Sequence, residues 1–146
     1  MRVLLPVDES DASELTLTWI SGFLDRQSAR LHLLHVVDSR MASAERALDK
    51  GHVEVFLDKV SRMMEEAGYT VEKASHLVGL PAEKILEYAD RHGILMIIMG
   101  ANGRKGLGKL LMGSVSEEVF RMAKQQVLVL NNTHRPSLTI PIELPR

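Results

Sequence analysis

The sequence predicts a single doubly wound α/β domain, Rossmann-like, with a mostly parallel five-stranded sheet and helices on both faces. Three observations predict it. Short, nearly continuous apolar runs recur along the chain, the pattern of strands covered on both faces. A segment of helical period separates each run from the next, so the elements read β-α-β-α-β-α-β-α-β, and helical crossovers between short strands imply parallel pairing. The length, 146 residues, suits one domain with one sizeable core.

Val3 to Val7 is the first strand, with Pro6 inside it. A helix starts at Ser10 or Asp11, where Glu14 completes a pattern like a capping box. Leu15, Trp19, Gly22 and Phe23 follow at i, i+4, i+7 and i+8 as one buried stripe, with Trp19 in the core. Ala29 to Val37 is the second strand. The next helix runs from about Ser43 to Ala67 with Phe56, Val60, Met63, Met64 and Ala67 inward, and Gly68 stops it. Thr70 to Val78 is the third strand. Pro81 suits the first turn of a helix that turns Ile85, Leu86 and Ala89 inward and ends at Gly93. Ile94 to Met99 is the fourth strand. A helix from Ser114 to Lys124 has Val115, Val119, Met122 and Ala123 on its inner face, and Val127 to Leu130 is the last strand. The remainder, 132–146, reads as a tail without helical period, so residues 1–131 form the predicted domain.

Composition narrows the function. Hydrophobic residues make up 45% and charged residues 25%, ordinary for a soluble globular chain. The formal net charge of -1 provides no field to attract nucleic acid or anionic membranes. There is no cysteine, which excludes disulfides, thiolate metal sites and cysteine nucleophiles. The apolar runs are far too short for a membrane span or a secretory signal, so a cytoplasmic location is the expectation.

In sheets of this kind ligands bind beyond the carboxyl ends of the strands, where strand order reverses. Three segments should meet there: Pro6, Val7 and Asp8; Val36, Val37 and Asp38; and the loop after the fourth strand. That loop reads GANGRKGLGKLLMGS and holds five of the ten glycines, at 100, 103, 106, 108 and 113. Glycine lets the main chain approach a ligand closely, and successive N–H groups in such a turn can form an anion-binding nest. Ser114 then opens a helix whose first N–H groups favour phosphate. No Asp or Glu occurs from Arg91 to Ser116, whereas Arg104, Lys105 and Lys109 lie in the loop. Two bland readings stand beside this one: Ser114 and Glu117 also fit a capping box, and the glycines also fit a long connecting loop.

Gly103 to Lys109 matches G-x-x-x-x-G-K, but Leu110 follows where a Walker A loop needs Ser or Thr, and the helix starts further on. G-x-G-x-x-G is absent. Asp8 reads either as a helix-flanking acid or as a strand-end ligand group, and its charge favours ribose, adenine or metal over phosphate. His32 and His35 are an odd number of residues apart on one strand, so they lie on opposite faces and do not chelate one metal together. Most methionines read as gap-filling core; Met99 and Met112 also suit the rim of the ligand site. No metal set and no catalytic set is evident, Asp38 being a weak candidate for a general base.

These residues resemble the nucleotide-binding branch of the universal stress protein family. Gly100, Gly103, Gly113 and Ser114 fill G-x2-G-x9-G-[S/T] at every position, and GLGKLLMGSVSEEV, VLLPVDES and LHLLHVVD are similar to the family's flanking motifs over about residues 1–131. The resemblance implies strand order 3-2-1-4-5 and binding of ATP or another adenine nucleotide. Asp8, after Pro6 and Val7, would lie by the adenine or ribose, and the Val36 backbone would read the adenine edge. Met99 and Gly100 would approach ribose and phosphates, and Gly103, Arg104, Gly113, Ser114 and Val115 would wrap the phosphates. It further implies magnesium or manganese as an ion that can bridge those phosphates, and a homodimer through Val127–Leu130. Ala101 and Asn102 depart from the family's usual Thr/Ser and His, and Gln125 and Gln126 stand where a small residue and proline are common. The expected function is a regulatory protein of stress response with slow hydrolysis at most. The alternatives are a nucleotide-free interaction module, which the complete glycine motif disfavours, and an adenine-nucleotide-using enzyme such as an AMP-forming ligase, whose glycine-rich loop after the first strand is absent from PVDESDAS.

Overall fold

The computed structural model describes residues 1–9, 11–41, 43–101 and 113–130, with the backbone alone for 11–15 and 43–50. The elements are β1 (Arg2–Pro6), α1 (Asp11–Ile20), β2 (Arg30–Asp38), α2 (Ser43–Glu66), β3 (Thr70–Gly79), α3 (Pro81–Arg91), β4 (Met96–Gly100), α4 (Ser114–Met122) and β5 (Gln126–Leu130). The five strands form one sheet in the order β3-β2-β1-β4-β5, and every neighbouring pair is parallel. Connections moving one way along such a sheet place their helices on one face, and those moving the other way use the opposite face. Accordingly α1 and α2 pack on one side, where Leu17, Ile20, Leu57 and Met64 meet Val3, Leu31 and Leu33. The other side holds α3 and α4, where Ile85, Tyr88, Ala89 and Val119 meet Leu4, Leu34 and Ile97. The reversal between β1 and β4 fixes the switch point of the sheet.

Local chemistry sets the helix ends. Pro81 occupies the first turn of α3, where its missing N–H loses nothing. Gly68, at φ +93°, closes α2: its N–H reaches the Glu65 carbonyl at 2.9 Å and Tyr69 N–H reaches that of Met64 at 3.0 Å, a Schellman closure. Arg26 seals the same corner through Nε to the Ala67 carbonyl at 2.7 Å, and Tyr69 Oη lies 3.0 Å from the Ile20 carbonyl and 2.9 Å from that of Leu24.

One expected inner stripe is rotated, and two others each include one residue that the structure leaves outside. In α1 the buried residues are Thr16, Leu17 and Ile20, followed by Leu24 beyond the helix, while Phe23 is half exposed and Trp19 is only partly buried. The helix ends before Gly22, so the stripe does not extend that far. In α2 the buried line is Val53, Leu57, Val60 and Met64, with Met63 exposed. In α4, Ser116 and Val119 are buried and Met122 is exposed. In α1 the reading is turned by about one position, because period alone does not say which face meets the sheet; in α2 and α4 Phe56, Ala67, Val115 and Ala123 do pack against the core, and only Met63 and Met122 stand outside it.

One irregularity interrupts the ladders. Leu31 faces Val71 but His32 faces Lys73, so Glu72 is an extra residue in β3, a bulge that redirects its side chain. Its carboxylate accepts from Arg2 Nε at 2.9 Å and meets His32 Nε2 at 2.7 Å. These two partners hold the carboxyl below the usual Glu range, His32 contributing most. The other ring nitrogen of buried His32 lies 2.9 Å from the Tyr88 hydroxyl of α3, and Tyr88 stacks on His92 at 3.8 Å. The cluster pins α3 to the strand ends remote from the switch point.

Candidate functional site

At the carboxyl end of the sheet β1, β2 and β4 release the chain, and the start of α4 is tied to the end of β4. The β1 ladder runs one residue past the strand, with Val7 N–H donating to the Leu34 carbonyl at 2.9 Å. Val7 is buried; Pro6, Asp8 and Val36 are half-buried. On the neighbouring strand His35 Nδ1 donates to the Val7 carbonyl at 2.8 Å, and its ring meets Phe56 of α2 edge-on at 6.3 Å. His32 and His35 therefore serve opposite faces of β2, one toward α3 and one toward α2, as their spacing requires.

Beyond β4, Ala101 N–H donates to the Leu130 carbonyl at 2.9 Å, extending the β5 ladder. Met99 is buried on the α3–α4 face and Gly100 is half-buried. Gly103, Arg104 and Met112 lie outside the described residues, as do Lys105 and Lys109. The chain is described again at Gly113, which is the N-cap of α4 with extended backbone, φ -61° and ψ 158°. The Ser114–Glu117 capping box is not formed. Ser114 already stands inside the helix, and Glu117 N–H bonds the Gly113 carbonyl at 2.9 Å. Ser114 is exposed and Val115 half-buried. The N–H groups of Ser114, Val115 and Ser116 precede the first intrahelical bond, so they are the donors a helix start offers to an anion.

What fixes that helix start is a residue the sequence analysis passed over. Ser116 is 2% exposed, and its hydroxyl donates to the Gly100 carbonyl at 3.0 Å. It ties the first turn of α4 to the last residue of β4 across a separation of sixteen residues. The signal available was S-x-S at 114–116, which does not say which serine faces the sheet.

Asp38 does not suit a general base. Hydrogen bonds from the Arg40 side chain and backbone hold its carboxyl at about 2, so it is ionised but barely basic at neutral pH. The pair shapes the turn into α2, with Arg40 N–H on Asp38 Oδ1 at 2.9 Å and Met41 N–H on the Asp38 carbonyl at 3.1 Å. An exposed Glu9–His52 pair links the segment after β1 to α2. Among the described residues no group of three His, Asp or Glu side chains is placed to hold a metal ion, and no helix is long and apolar enough to cross a membrane.

The family model described as the universal stress protein family matches residues 1–131. Universal stress protein MJ0577 of Methanocaldococcus jannaschii is 27% identical, over 88% of this chain and 93% of its own length. MJ0531 of the same organism is 30% identical, over 88% of this chain and 81% of its own. The solved structure of MJ0577 superposes with TM-score 0.77, covering 91% of this chain and 96% of that one. Two more distant relatives share the fold: a universal stress protein in complex with cAMP, 22% identical with TM-score 0.71 over 92% of this chain and 97% of its own, and one from Archaeoglobus fulgidus in complex with dAMP, 19% identical with TM-score 0.63 over 88% and 96%. Sequence motif, strand order and overall match agree: the chain belongs to the universal stress protein family.

Proposed function

We propose that this protein binds ATP, or a close adenine nucleotide, at the carboxyl end of β1, β2 and β4, and acts as a regulatory protein of stress response with slow hydrolysis at most. The observation that carries the reading is the start of α4 at the switch point. Gly113 caps it, no capping bond occupies Ser114, and the first-turn N–H groups precede any intrahelical acceptor. The loop cations Arg104, Lys105 and Lys109 supply matching charge. Related proteins of this fold hold cAMP and dAMP, which supports an adenine nucleotide over other anions.

In this reading the phosphates lie on the N–H groups of Gly103, Arg104, Gly113, Ser114 and Val115. Met99 and Gly100 approach the ribose and phosphates. Asp8, presented by Pro6 and Val7, lies by the ribose or base, and the Val36 backbone reads the adenine edge. A bound divalent ion would be held by phosphates, water and a carboxylate such as Asp8, because the described residues hold no ready-made cage. That donor set suits magnesium, which keeps several waters and is usually held by substrate phosphates and one or two carboxylates. With Asp38 committed to Arg40, that carboxylate is a poor base for activating water, which supports a binding protein with slow hydrolysis at most. Nucleotide then acts by shifting conformation or association.

Residues 1–131 are the proposed binding domain and 132–146 a tail. Val127 to Leu130 are all half-buried on the β5 edge, which supports a homodimer through that strand; the proposed location is the cytoplasm.

The test is equilibrium binding of ATP with and without magnesium. Saturable binding that Gly113→Val abolishes and Lys109→Ala retains is expected. Dependence on Lys109 would shift the phosphate site to the Walker-like stretch, and no binding of any adenine nucleotide would leave an interaction module.

A further inference from the structure

Parallel strands bond in a fixed rhythm, in which one residue donates to the partner strand below its own level and accepts from above. β1 and β2 keep it to the end: Pro6 stands opposite Leu34, and Val7 N–H donates to the Leu34 carbonyl. A strand residue sends its N–H and C=O to one side and the next residue sends them to the other. Leu34 and Val36 therefore aim their backbone toward β1, whereas His35, Val37 and Ser39 aim theirs toward β3. Ser39 N–H, on the Gly79 carbonyl at 3.0 Å, confirms the parity. The next rung would be Val36 N–H to the Val7 carbonyl. Among the described residues that bond is not made. The Val7 carbonyl instead accepts from His35 Nδ1 at 2.8 Å. A carbonyl only accepts, so Nδ1 carries the hydrogen, and Phe56 meets the ring edge-on.

We propose that His35 is a positioning residue for base recognition: by taking the Val7 carbonyl it stops the β1–β2 ladder one rung short and leaves the Val36 N–H and C=O facing the gap where β1 turns away. The inference rests on the adenine-nucleotide reading above and adds its specificity. Side by side, the Val36 pair offers one donor and one acceptor. The Watson–Crick edge of adenine is the complement, since N1 accepts and the N6 amino group donates. Hypoxanthine presents the reverse at both places, with N1–H donating and O6 accepting, so the same strand end that fits ATP opposes ITP. Guanine shares that reversal.

Hydrogen exchange and binding on the full chain test this. In the nucleotide-free protein the Val36 amide should exchange at least ~100-fold faster than the Leu34 amide, which sits in the ladder. In His35→Leu the released Val7 carbonyl should capture Val36 N–H, and its exchange should slow toward that of Leu34. Preference for ATP over ITP should fall by about tenfold or more, one hydrogen bond's worth, while affinity for inorganic tripolyphosphate stays unchanged. His35→Gln, which keeps a donor, should retain the preference, and it covers the case in which the leucine variant does not fold. A Val36 amide as protected as Leu34 in the wild type overturns the proposal, as does a His35→Leu protein that still prefers ATP to ITP. A wild type that binds neither ATP nor tripolyphosphate overturns the functional reading instead, and the Val36 exchange rate then still decides whether His35 holds the ladder open.

Discussion

Replacing Ser116 by alanine separates the anchoring of α4 from its anion-binding face. The hydroxyl is buried and makes a single described bond, to the Gly100 carbonyl at 3.0 Å. Alanine removes the donor, leaves almost no cavity and takes this partner from the half-buried Gly100 carbonyl. A buried neutral hydrogen bond contributes about 1 kcal/mol, and an acceptor left without its partner costs about 1–3 kcal/mol. The expected loss is about 2 kcal/mol, or roughly 5–8 °C in Tm for a domain of this size. Urea melts followed by circular dichroism measure it, with an unchanged m-value showing that the denatured state is not the cause. Because the same bond sets where the first-turn N–H groups point, tripolyphosphate affinity should fall severalfold as well. Ser114→Ala is the counterpart: exposed and outside any cap, it should weaken anion binding while moving stability by less than about 0.5 kcal/mol. A Ser116→Ala midpoint equal to wild type, or a larger stability loss from Ser114→Ala, refutes the assignment of the two serines.

Tyr69→Phe keeps the ring but removes the hydroxyl shared by the Ile20 and Leu24 carbonyls, and it should cost about 1–2 kcal/mol in urea denaturation. Gly68→Ala forces a side chain into φ +93° and places its Cβ 3.1 Å from Arg26 Cδ. A loss of about 1–2 kcal/mol is expected there, and Gly51→Ala, whose Cβ would meet nothing within 4 Å in mid-helix, should be neutral or mildly stabilising. The Asp38 carboxyl is depressed to about 2 by Arg40. Its contribution is therefore fully present above the ordinary Asp range near ~4 and is lost as pH falls through about 2. Protection factors of the Arg40 and Met41 amides should hold down to pH 4 and fall as pH drops through about 2 in wild type, and be low throughout that range in Asp38→Ala.

The order of elements was legible because parallel strands buried on both faces have a plain signature. Val3–Val7 and Ile94–Met99 carry it, and glycines at 68 and 93 mark helix ends whose positive φ the structure contains. Stripe orientation was less legible. Phe23, Met63 and Met122 are as apolar as their buried neighbours, and only the docked sheet decides that Leu24, Met64 and Val119 take the inside. The candidate site divides in the same way. Glycine richness before a helix start, and the resemblance to the family motif, marked Gly100, Gly113 and Ser114 in the sequence. Ser116 and His35 act through a carbonyl of another segment, and no spacing in one sequence reveals which carbonyl a side chain will meet. Read as sequence, His35 was only the member of the His32/His35 pair on the opposite face of the second strand; its place beside Val7 follows from the β1–β2 register. Similarly the Ser114–Glu117 pattern is a sound capping signal that lost to Gly113, whose extended backbone supplies the cap one residue earlier.

The extra residue in β3 also matters for what the sheet can recruit. An open sheet has two rims, and each is a template for a foreign strand unless something spoils it. On the β3 rim the Glu72 bulge breaks the repeat, and Lys73 and Glu72 crowd it with charge. The β5 rim has an unbroken register with β4 and four consecutive half-buried aliphatic residues. Among the described residues the sheet is thus open to growth on one rim only. A second chain pairing there would make a finite pair, because each member would then present only its bulged rim to a third.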